Sequence, residues 1–171
     1  MKDKGLRGLR LDQLALKDLT ALMALQETVM TGLPSQEWYV PSTEEEQVEN
    51  LQNGDVFGCW DGGKLAGFSV LTPWMDRGEK AYGPKVGEPA EGTYDLHDMM
   101  VDPDYRRRGI HSALLRLFDE TVKILGGHAI YATISPDNLP SIKGFEKAGY
   151  MHMKTQPAYD GRLRGYYKKI I

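Results

Sequence analysis

Residues 101–115 read VDPDYRRRGIHSALL, and they decide how the rest of the chain is interpreted. A short apolar-rich run, residues 96–101, leads into them, and Pro103 cannot continue a central strand because it has no N–H to donate. From Ile110 onward, apolar residues recur at the i, i+3, i+4, i+7 spacing of one buried helical face, and two glycines at 126–127 end that pattern. The stretch therefore predicts the end of a strand, a basic turn and a long helix.

The turn between strand and helix carries Arg106, Arg107, Arg108 and Gly109. The first N–H groups of a helix have no internal partner, and the helix dipole adds partial positive charge there, so such an end binds phosphate. Gly109 has no Cβ, which lets a ligand approach the backbone closely. The alternative is a basic surface turn before an ordinary helix, and spacing alone does not choose between the two.

Two blocks of the sequence resemble the GNAT acyltransferase superfamily. Residues 101–111, with Arg-x-x-Gly-x-His after Val-x-Pro, look like the loop that holds the pyrophosphate of acetyl-CoA. Residues 138–150, NLPSIKGFEKAGY, are similar to the family signature Asn-x-x-Ala-x-x-x-Tyr-Glu-Lys-x-Gly-Phe at the start of the last helix. The chain departs from the family at His111, which replaces a small residue, and at Phe145, where many members carry a tyrosine.

Hydrophobic periodicity and turn residues predict the element order β-α-α-β-β-β-α-β-α-β-β. The predicted strands cover residues 6–11, 56–60, 65–71, 94–101, 129–134, 150–158 and 163–171, and the helices cover 14–30, 42–52, 110–125 and 140–149. Residues 72–93, rich in glycine and proline, are predicted to be a long functional or disordered loop. The fold class is α/β (α+β), a mixed central sheet flanked by helices, and the order matches the GNAT fold. We expect one GNAT acetyltransferase domain over residues 1–171.

Composition narrows the functional classes. The 171 residues carry a net charge of -3, which argues against nucleic acid as the main partner. One cysteine, Cys59, excludes a disulfide framework, and four scattered histidines show no metal-ligand spacing, so no metal is expected. Residues 1–5 lack the apolar core of a signal peptide and no run is long enough to span a membrane, so we expect a cytoplasmic protein. The oligomeric state stays open, a homodimer included.

The resemblance implies transfer of an acetyl group from acetyl-CoA to an amine, either of a small molecule or of a larger acceptor such as a peptide, by direct attack on the thioester. The amine must first lose a proton, which a carboxylate, a histidine or a water relay can accept. In the family such groups commonly project from the strand before the phosphate loop, which here offers Asp95, His97 and Asp98. Asp95 and His97 share a face if that strand is regular. The alternative is that all three are ordinary structural groups.

The resemblance also assigns residues to acetyl-CoA. The backbone of Met99, Met100 and Val101 is expected to pair with the pantetheine arm and to polarise the acetyl carbonyl. The remaining cofactor-binding candidates are Arg106, Arg107, Arg108, Gly109, Ile110, His111, Ser112, Asn138 and Ser141. Asn138 could instead serve only as a turn and cap residue.

Three loop aromatics, Trp38, Tyr39 and Trp74, are candidates for the acceptor pocket, although such residues as often cover a domain's own core. Phe145 motivates one rival function, a catalytically silent sensor that binds acetyl-CoA. The arginine cluster motivates another, a phosphate- or nucleic-acid-binding module.

Overall fold

The computed structural model describes residues 6–171. The expectation that residues 1–5 carry no apolar leader lies outside the described residues. The strands are β1 (Leu9–Gln13), β2 (Val56–Asp61), β3 (Lys64–Pro73), β4 (Thr93–Val101), β5 (Ala129–Ile134), β6 (Met151–Ala158) and β7 (Arg162–Ile170). The helices are α1 (Leu19–Thr31), α2 (Glu44–Asn53), α3 (Trp74–Arg77), α4 (Tyr82–Lys85), α5 (Ile110–Ile124) and α6 (Leu139–Lys147). Short 3-10 turns lie at Leu16–Asp18, Gln36–Trp38, Gly78–Lys80 and Pro103–Tyr105.

The predicted fold class is confirmed. The strands form one mostly antiparallel mixed sheet in the order β1-β2-β3-β4-β5-β7-β6, with helices flanking it, and β4 and β5 form its parallel pair. The predicted order of the longer elements is also correct. The prediction of one long loop over residues 72–93 is wrong, because β3 runs on to Pro73 and the segment then folds into α3, a 3-10 turn and α4.

By their internal contacts, the described residues group into two compact units. The first contains residues up to Gln36, Val40–Val70 and Asp98–Leu115. The second contains Glu37–Tyr39, Leu71–His97 and Arg116–Ile171. The single-domain organisation stays a prediction.

The first unit packs the start of α5 closely against β3. Cys59, Ala66, Ile110 and Leu114 form a buried cluster there. The close approach requires glycine at position 67, since a Cβ there would lie 2.8 Å from Cγ2 of Ile110 and 3.1 Å from the carbonyl oxygen of Met100. The spacing of β3, β4 and the helix start therefore depends on a residue without a side chain.

The second unit is built on β5, which pairs with β4 in parallel and with β7 in antiparallel register. The β4–β5 pairing runs from Thr93 opposite Ala129 to Leu96 opposite Ala132. A buried cluster of Tyr82, Ala129, Tyr131 and Tyr166 covers one part of this sheet. The rings of Tyr82 and Tyr166 meet edge to face with centroids 5.8 Å apart, a favourable aromatic geometry.

Gly67→Ala should lower the free energy of unfolding by about 1–3 kcal/mol, because overpacking forces backbone or side-chain shifts in a close-packed core. Urea-induced unfolding measures the change. Gly63→Ala is the matched control, since nothing lies within 4 Å of a Cβ at Gly63, and we expect an effect within about 0.5 kcal/mol. Equal losses in both variants would contradict the close-approach argument.

Candidate active site

The basic turn has a backbone that suits an anion. Arg107 and Gly109 both have positive φ, 64° and 83°, and α5 begins directly after them at Ile110. The N–H of Ala113 donates to the carbonyl of Gly109 at 2.9 Å, so Gly109 is the residue that caps the helix, and it has no side chain to occupy the first N–H groups. The positive φ of Arg107 and Gly109 turns the chain sharply into α5, whose first N–H groups have no partner within the helix and can donate to a bound anion.

Tyr105 fixes the start of this turn onto the β2–β3 hairpin. Its hydroxyl donates to Oδ2 of Asp61 at 2.8 Å. The Arg108 guanidinium carbon lies 4.7 Å from the ring centroid and Lys64 Nζ lies 5.1 Å from it. Lys64 also forms an ion pair with Asp102 at 3.1 Å. Of the three exposed arginines, Arg108 is thus held over the Tyr105 ring by a cation–π contact.

His111 and Ser112 occupy the first turn of α5, where both are half-buried. Burial lowers the pKa of His111 to about 4. Its ring is therefore neutral near pH 7 and adds no charge to the helix end. His111 therefore does not contribute to the positive charge that the arginines and the helix dipole place at this end.

Asp95 is almost completely buried, with 1% of its surface exposed. Its Oδ2 accepts from Nε of Arg77 at 2.9 Å and from the backbone N–H of Tyr82 at 3.1 Å. Burial raises the pKa of Asp95 to about 6, and the attraction of Arg77 opposes part of that rise. A carboxyl group with a pKa near 6 exchanges its proton close to physiological pH.

His97 lies two positions further along β4 and is half-buried. Its Nε2 is 3.0 Å from the Thr72 hydroxyl oxygen, and the charge of His97 acts on Asp95 by lowering its pKa. Asp95 and His97 both belong to the second unit, so the structure brings these two candidates into one electrostatic neighbourhood.

Asp98 has different surroundings, in the first unit. Its φ is +52°, a left-handed conformation in the course of β4, and it is only 6% exposed. Its Oδ2 accepts hydrogen bonds from the Ser42 hydroxyl and, at 3.0 Å, from Nε2 of Gln47. The three predicted catalytic residues therefore do not share one set of partners.

Asn138 performs the turn and cap role that the sequence allows. It is the N-cap of α6, and its Oδ1 accepts from the N–H of Ser141 at 3.3 Å. Phe145, 3% exposed, packs edge to face on Tyr150 with ring centroids 5.0 Å apart. The position where the family carries a tyrosine is thus a packing position in this helix.

Tyr131, a hydroxyl on β5, the strand before α6, already has an acceptor. It donates to the Glu88 carboxylate, which Lys168 also contacts. Burial, together with that hydrogen bond, raises the pKa of Tyr131 above its usual range. The Tyr131 hydroxyl is therefore protonated and already donates its hydrogen bond to Glu88.

The acceptor-pocket candidates Trp38, Tyr39 and Trp74 all lie in the second unit and all are half-buried. Two β7 arginines bind the backbone of the segment that carries the first two. Arg164 donates to the carbonyl of Glu37 at 2.9 Å, and Arg162 donates to the carbonyl of Tyr39 at 3.1 Å. Trp74 opens α3.

Several hydrogen-bond partners of the candidate catalytic residues were not predicted from the sequence. Thr72 and Arg77 fell in the segment predicted as a loop, which carried no signal for pairing with β4. The positions of Gln26 and Gln47 did carry a sequence signal. Gln26 stands in the buried row of α1 with Leu22, Leu25 and Val29, and Gln47 precedes buried Leu51 by one helical turn in α2. A polar residue in an apolar row indicates a buried hydrogen bond.

Comparison with known proteins identifies the family. The model of the acetyltransferase (GNAT) family matches residues 19–150. The chain belongs to the GNAT family. Among curated relatives, the chain is 24% identical over 109 residues to a mycothiol acetyltransferase of Corynebacterium glutamicum (strain R), a match that covers 64% of this chain and 32% of that protein.

Solved GNAT structures share the fold. The ribosomal-protein-S18-alanine N-acetyltransferase of Escherichia coli matches with a TM-score of 0.71 and 20% identity over 95% of this chain and 94% of that one. The yncA protein of Salmonella typhimurium, a putative acetyltransferase solved with its cofactor acetyl-CoA, matches with a TM-score of 0.72 and 13% identity over 95% and 94%. Identities this low establish the fold alone.

The chain spans about a quarter to a third of the length of the curated relatives that it matches. In the part of the chain that the structure describes, no helix is long and apolar enough to cross a membrane. Residues 6–171 also contain no group of three or more histidine, cysteine, aspartate or glutamate side chains that could hold a metal ion.

Gly109→Asp in this GNAT protein should abolish acetyl-CoA binding, because it places a side chain and a negative charge where phosphate oxygens must approach N–H groups. Isothermal titration calorimetry measures the affinity. Gly126→Asp is the matched control, since Gly126 also has positive φ and lies just beyond the other end of α5, with nothing within 4 Å of a Cβ. A folded Gly109→Asp protein with unchanged affinity would exclude the turn as the phosphate site.

Asp95 should change the free energy of unfolding with pH in the direction opposite to that of a carboxyl group whose pKa falls on folding. Its pKa is raised from 3.8 to about 6 on folding, so the folded state binds more protons than the unfolded state in that interval. The contribution of Asp95 to the free energy of unfolding is therefore largest below about pH 4, and it falls as pH rises to about 6. Urea unfolding of wild type and Asp95→Asn across this range checks the sign. Wild type should lose stability relative to the variant as pH rises, and a relative gain would contradict the raised pKa.

Proposed function

We propose that the protein is an acetyl-CoA-dependent N-acetyltransferase that transfers an acetyl group to an amine of a small molecule or of a larger acceptor. The observation that carries this proposal is the turn before α5. Two left-handed residues, a helix start whose cap residue is glycine and three exposed arginines meet within residues 106–112. This combination suits a pyrophosphate, and membership of the GNAT family supports acetyl-CoA as its source.

In the proposed complex, Arg106, Arg107 and Arg108 and the N–H groups of residues 109–112 hold the pyrophosphate. The backbone of Met99, Met100 and Val101 pairs with the pantetheine arm, and one of its N–H groups donates to the acetyl carbonyl. The resemblance to the family also assigns Asn138 and Ser141 to the cofactor. Acetyl-CoA supplies the activated acetyl group, and these residues orient it for attack by an amine.

We assign the general base to His97, with Asp95 as its electrostatic support. Asp95 is sealed from solvent by Arg77 and by the backbone of Tyr82, whereas His97 is only half-buried. When His97 takes the proton of the amine, the positive ring and the Asp95 carboxylate attract each other. Trp38, Tyr39 and Trp74 are proposed to contact the acceptor.

The departing thiolate needs no tyrosine in this scheme. Phe145 has no hydroxyl, and the Tyr131 hydroxyl donates its hydrogen bond to Glu88. A free thiol has a pKa of about 8.5, so its anion leaves with less acid assistance than an alkoxide requires. Water then delivers the proton.

The buried Phe145 ring favours one second candidate, a catalytically silent sensor that binds acetyl-CoA. An acceptor screen separates the two. The protein is mixed with acetyl-CoA and a panel of amines, amino acids and peptides, and thiol release is followed. Turnover above the no-protein rate supports the enzyme. Tight acetyl-CoA binding without turnover, with activity appearing only in Phe145→Tyr, would establish the sensor instead.

His97→Asn should lower kcat/KM on the order of a hundredfold, because it removes the base while leaving acetyl-CoA contacts intact. The acidic limb of the pH–rate profile should also change. Thr72→Val serves as the comparison, since it removes the hydroxyl partner of His97 but keeps the imidazole, and its loss should be smaller. A near-normal His97→Asn beside a strongly impaired Asp95→Asn would move the role to Asp95.

A further inference from the structure

A closed ring of hydrogen bonds joins the buried side chains of Gln26, Gln47 and Asp98 to half-buried Ser42. Gln47 Nε2 donates to Asp98 Oδ2 at 3.0 Å and to Gln26 Oε1 at 3.1 Å. Gln26 Nε2 donates to the carbonyl oxygen of Ser42 at 2.8 Å, and the Ser42 hydroxyl closes the ring on Asp98 Oδ2. Asn50 Nδ2 donates to Gln47 Oε1 at 3.1 Å, so both ends of the Gln47 amide are engaged.

The ring allows one arrangement. Gln47 is 0% exposed, so no water can replace a lost partner without a rearrangement of the helix. Turning its amide over would place Oε1 against the Asp98 carboxylate and against Gln26 Oε1, which are both acceptors. A buried network in which every member is satisfied is rigid and has a single geometry.

The ring converges on the one non-glycine residue of β4 with positive φ. Asp98 has φ +52°, and Met99–Val101 follow it directly. Aspartate adopts this conformation more readily than most L-residues do, but it still costs free energy within a strand, which favourable contacts must offset. The conformation of residue 98 sets the direction in which the next N–H groups point, and the proposed function assigns those N–H groups to the acetyl thioester.

We propose that Gln47 is a positioning residue for acetyl transfer. Together with Gln26 and Ser42 it holds Asp98 in the left-handed conformation, and this aims the N–H groups of Met99–Val101 at the acetyl carbonyl. The proposal rests on the proposed function. It gives Asp98 the role of an anchor and leaves proton abstraction to His97.

The packing of α1 and α2 does not by itself require glutamine at positions 26 and 47. An apolar side chain at Gln26 or Gln47 would extend the buried rows of α1 and α2 without the desolvation cost of two amides. Instead, the two amides and the Ser42 hydroxyl all lead to the same carboxylate oxygen. This network is costly to bury, and it ends on a strained residue of β4 next to Met99–Val101. That placement favours a positioning role.

The kinetic test compares Gln47→Met with Leu51→Ala, a substitution one helical turn away that removes buried apolar contacts and leaves the ring intact. The acceptor is the amine with the highest turnover in the screen above. Gln47→Met should lower kcat on the order of 10- to 100-fold, as expected for misplaced but intact catalytic groups. The affinity for acetyl-CoA, measured by calorimetry, should change far less. Equal kcat losses in the two variants at comparable melting temperatures would overturn the proposal.

Asp98→Asn distinguishes an anchor from a base. Asparagine keeps an acceptor oxygen and tolerates the left-handed conformation, but it cannot take a proton from an amine. It should therefore lose less kcat than Gln47→Met. The reverse order, with an altered acidic limb of the pH profile, would show that the carboxylate acts chemically and would overturn the anchor role.

A third measurement does not need turnover. The Cα and Cβ NMR chemical shifts of residue 98 report its backbone conformation, and they should move toward extended values in Gln47→Met but not in Leu51→Ala. Unchanged shifts in Gln47→Met would overturn the proposal even if the enzyme is active. A wild type without turnover would defeat the proposed function and the catalytic half of this inference, while the shifts would still decide whether the ring holds Asp98.

Discussion

Strand β4 changes its backbone conformation at Asp98, and most of the candidate site depends on that change. Before it, Asp95 and His97 lie on extended strand, and the parallel pairing with β5 runs from Thr93 to Leu96. After it come Met99–Val101 and the basic turn. A non-glycine residue in the left-handed region costs about 1–3 kcal/mol, so it persists only where its surroundings over-determine it. The hydrogen-bond ring around the Asp98 carboxylate supplies that determination.

Two kinds of charge serve the site, and they behave differently in water. Asp95 and Arg77 are paired away from solvent at 2.9 Å, where desolvation opposes ionisation and moves the pKa of the carboxyl group upward. Arg106, Arg107 and Arg108 are exposed, and salt screens their field over about 8–10 Å. Burial therefore changes the protonation of a β4 carboxyl group, whereas the field of the exposed arginines acts only over a short distance from the turn.

The sequence by itself determined the features whose causes are local. The basic turn could be predicted because Pro103 ends a strand, Gly109 opens a helix and apolar residues recur at helical spacing from Ile110. The mixed sheet and the order of its longer elements followed from the same periodicities. Asn138 could be predicted as a cap for the same reason, since its partner Ser141 lies three residues away. Such signals operate within one turn of helix or one strand.

Only the tertiary structure decided which polar groups meet. Gln47 and Asp98 are 51 positions apart, Thr72 and His97 are 25 apart, and Tyr131 and Glu88 are 43 apart. Periodicity indicates which face of an element is buried, but it does not name the side chain that a distant element brings against that face. The sequence therefore offered Asp95, His97 and Asp98 as equivalent candidates. In the folded protein these candidates differ in their burial and in their hydrogen-bond partners, and both depend on contacts that the chain makes only after it has folded.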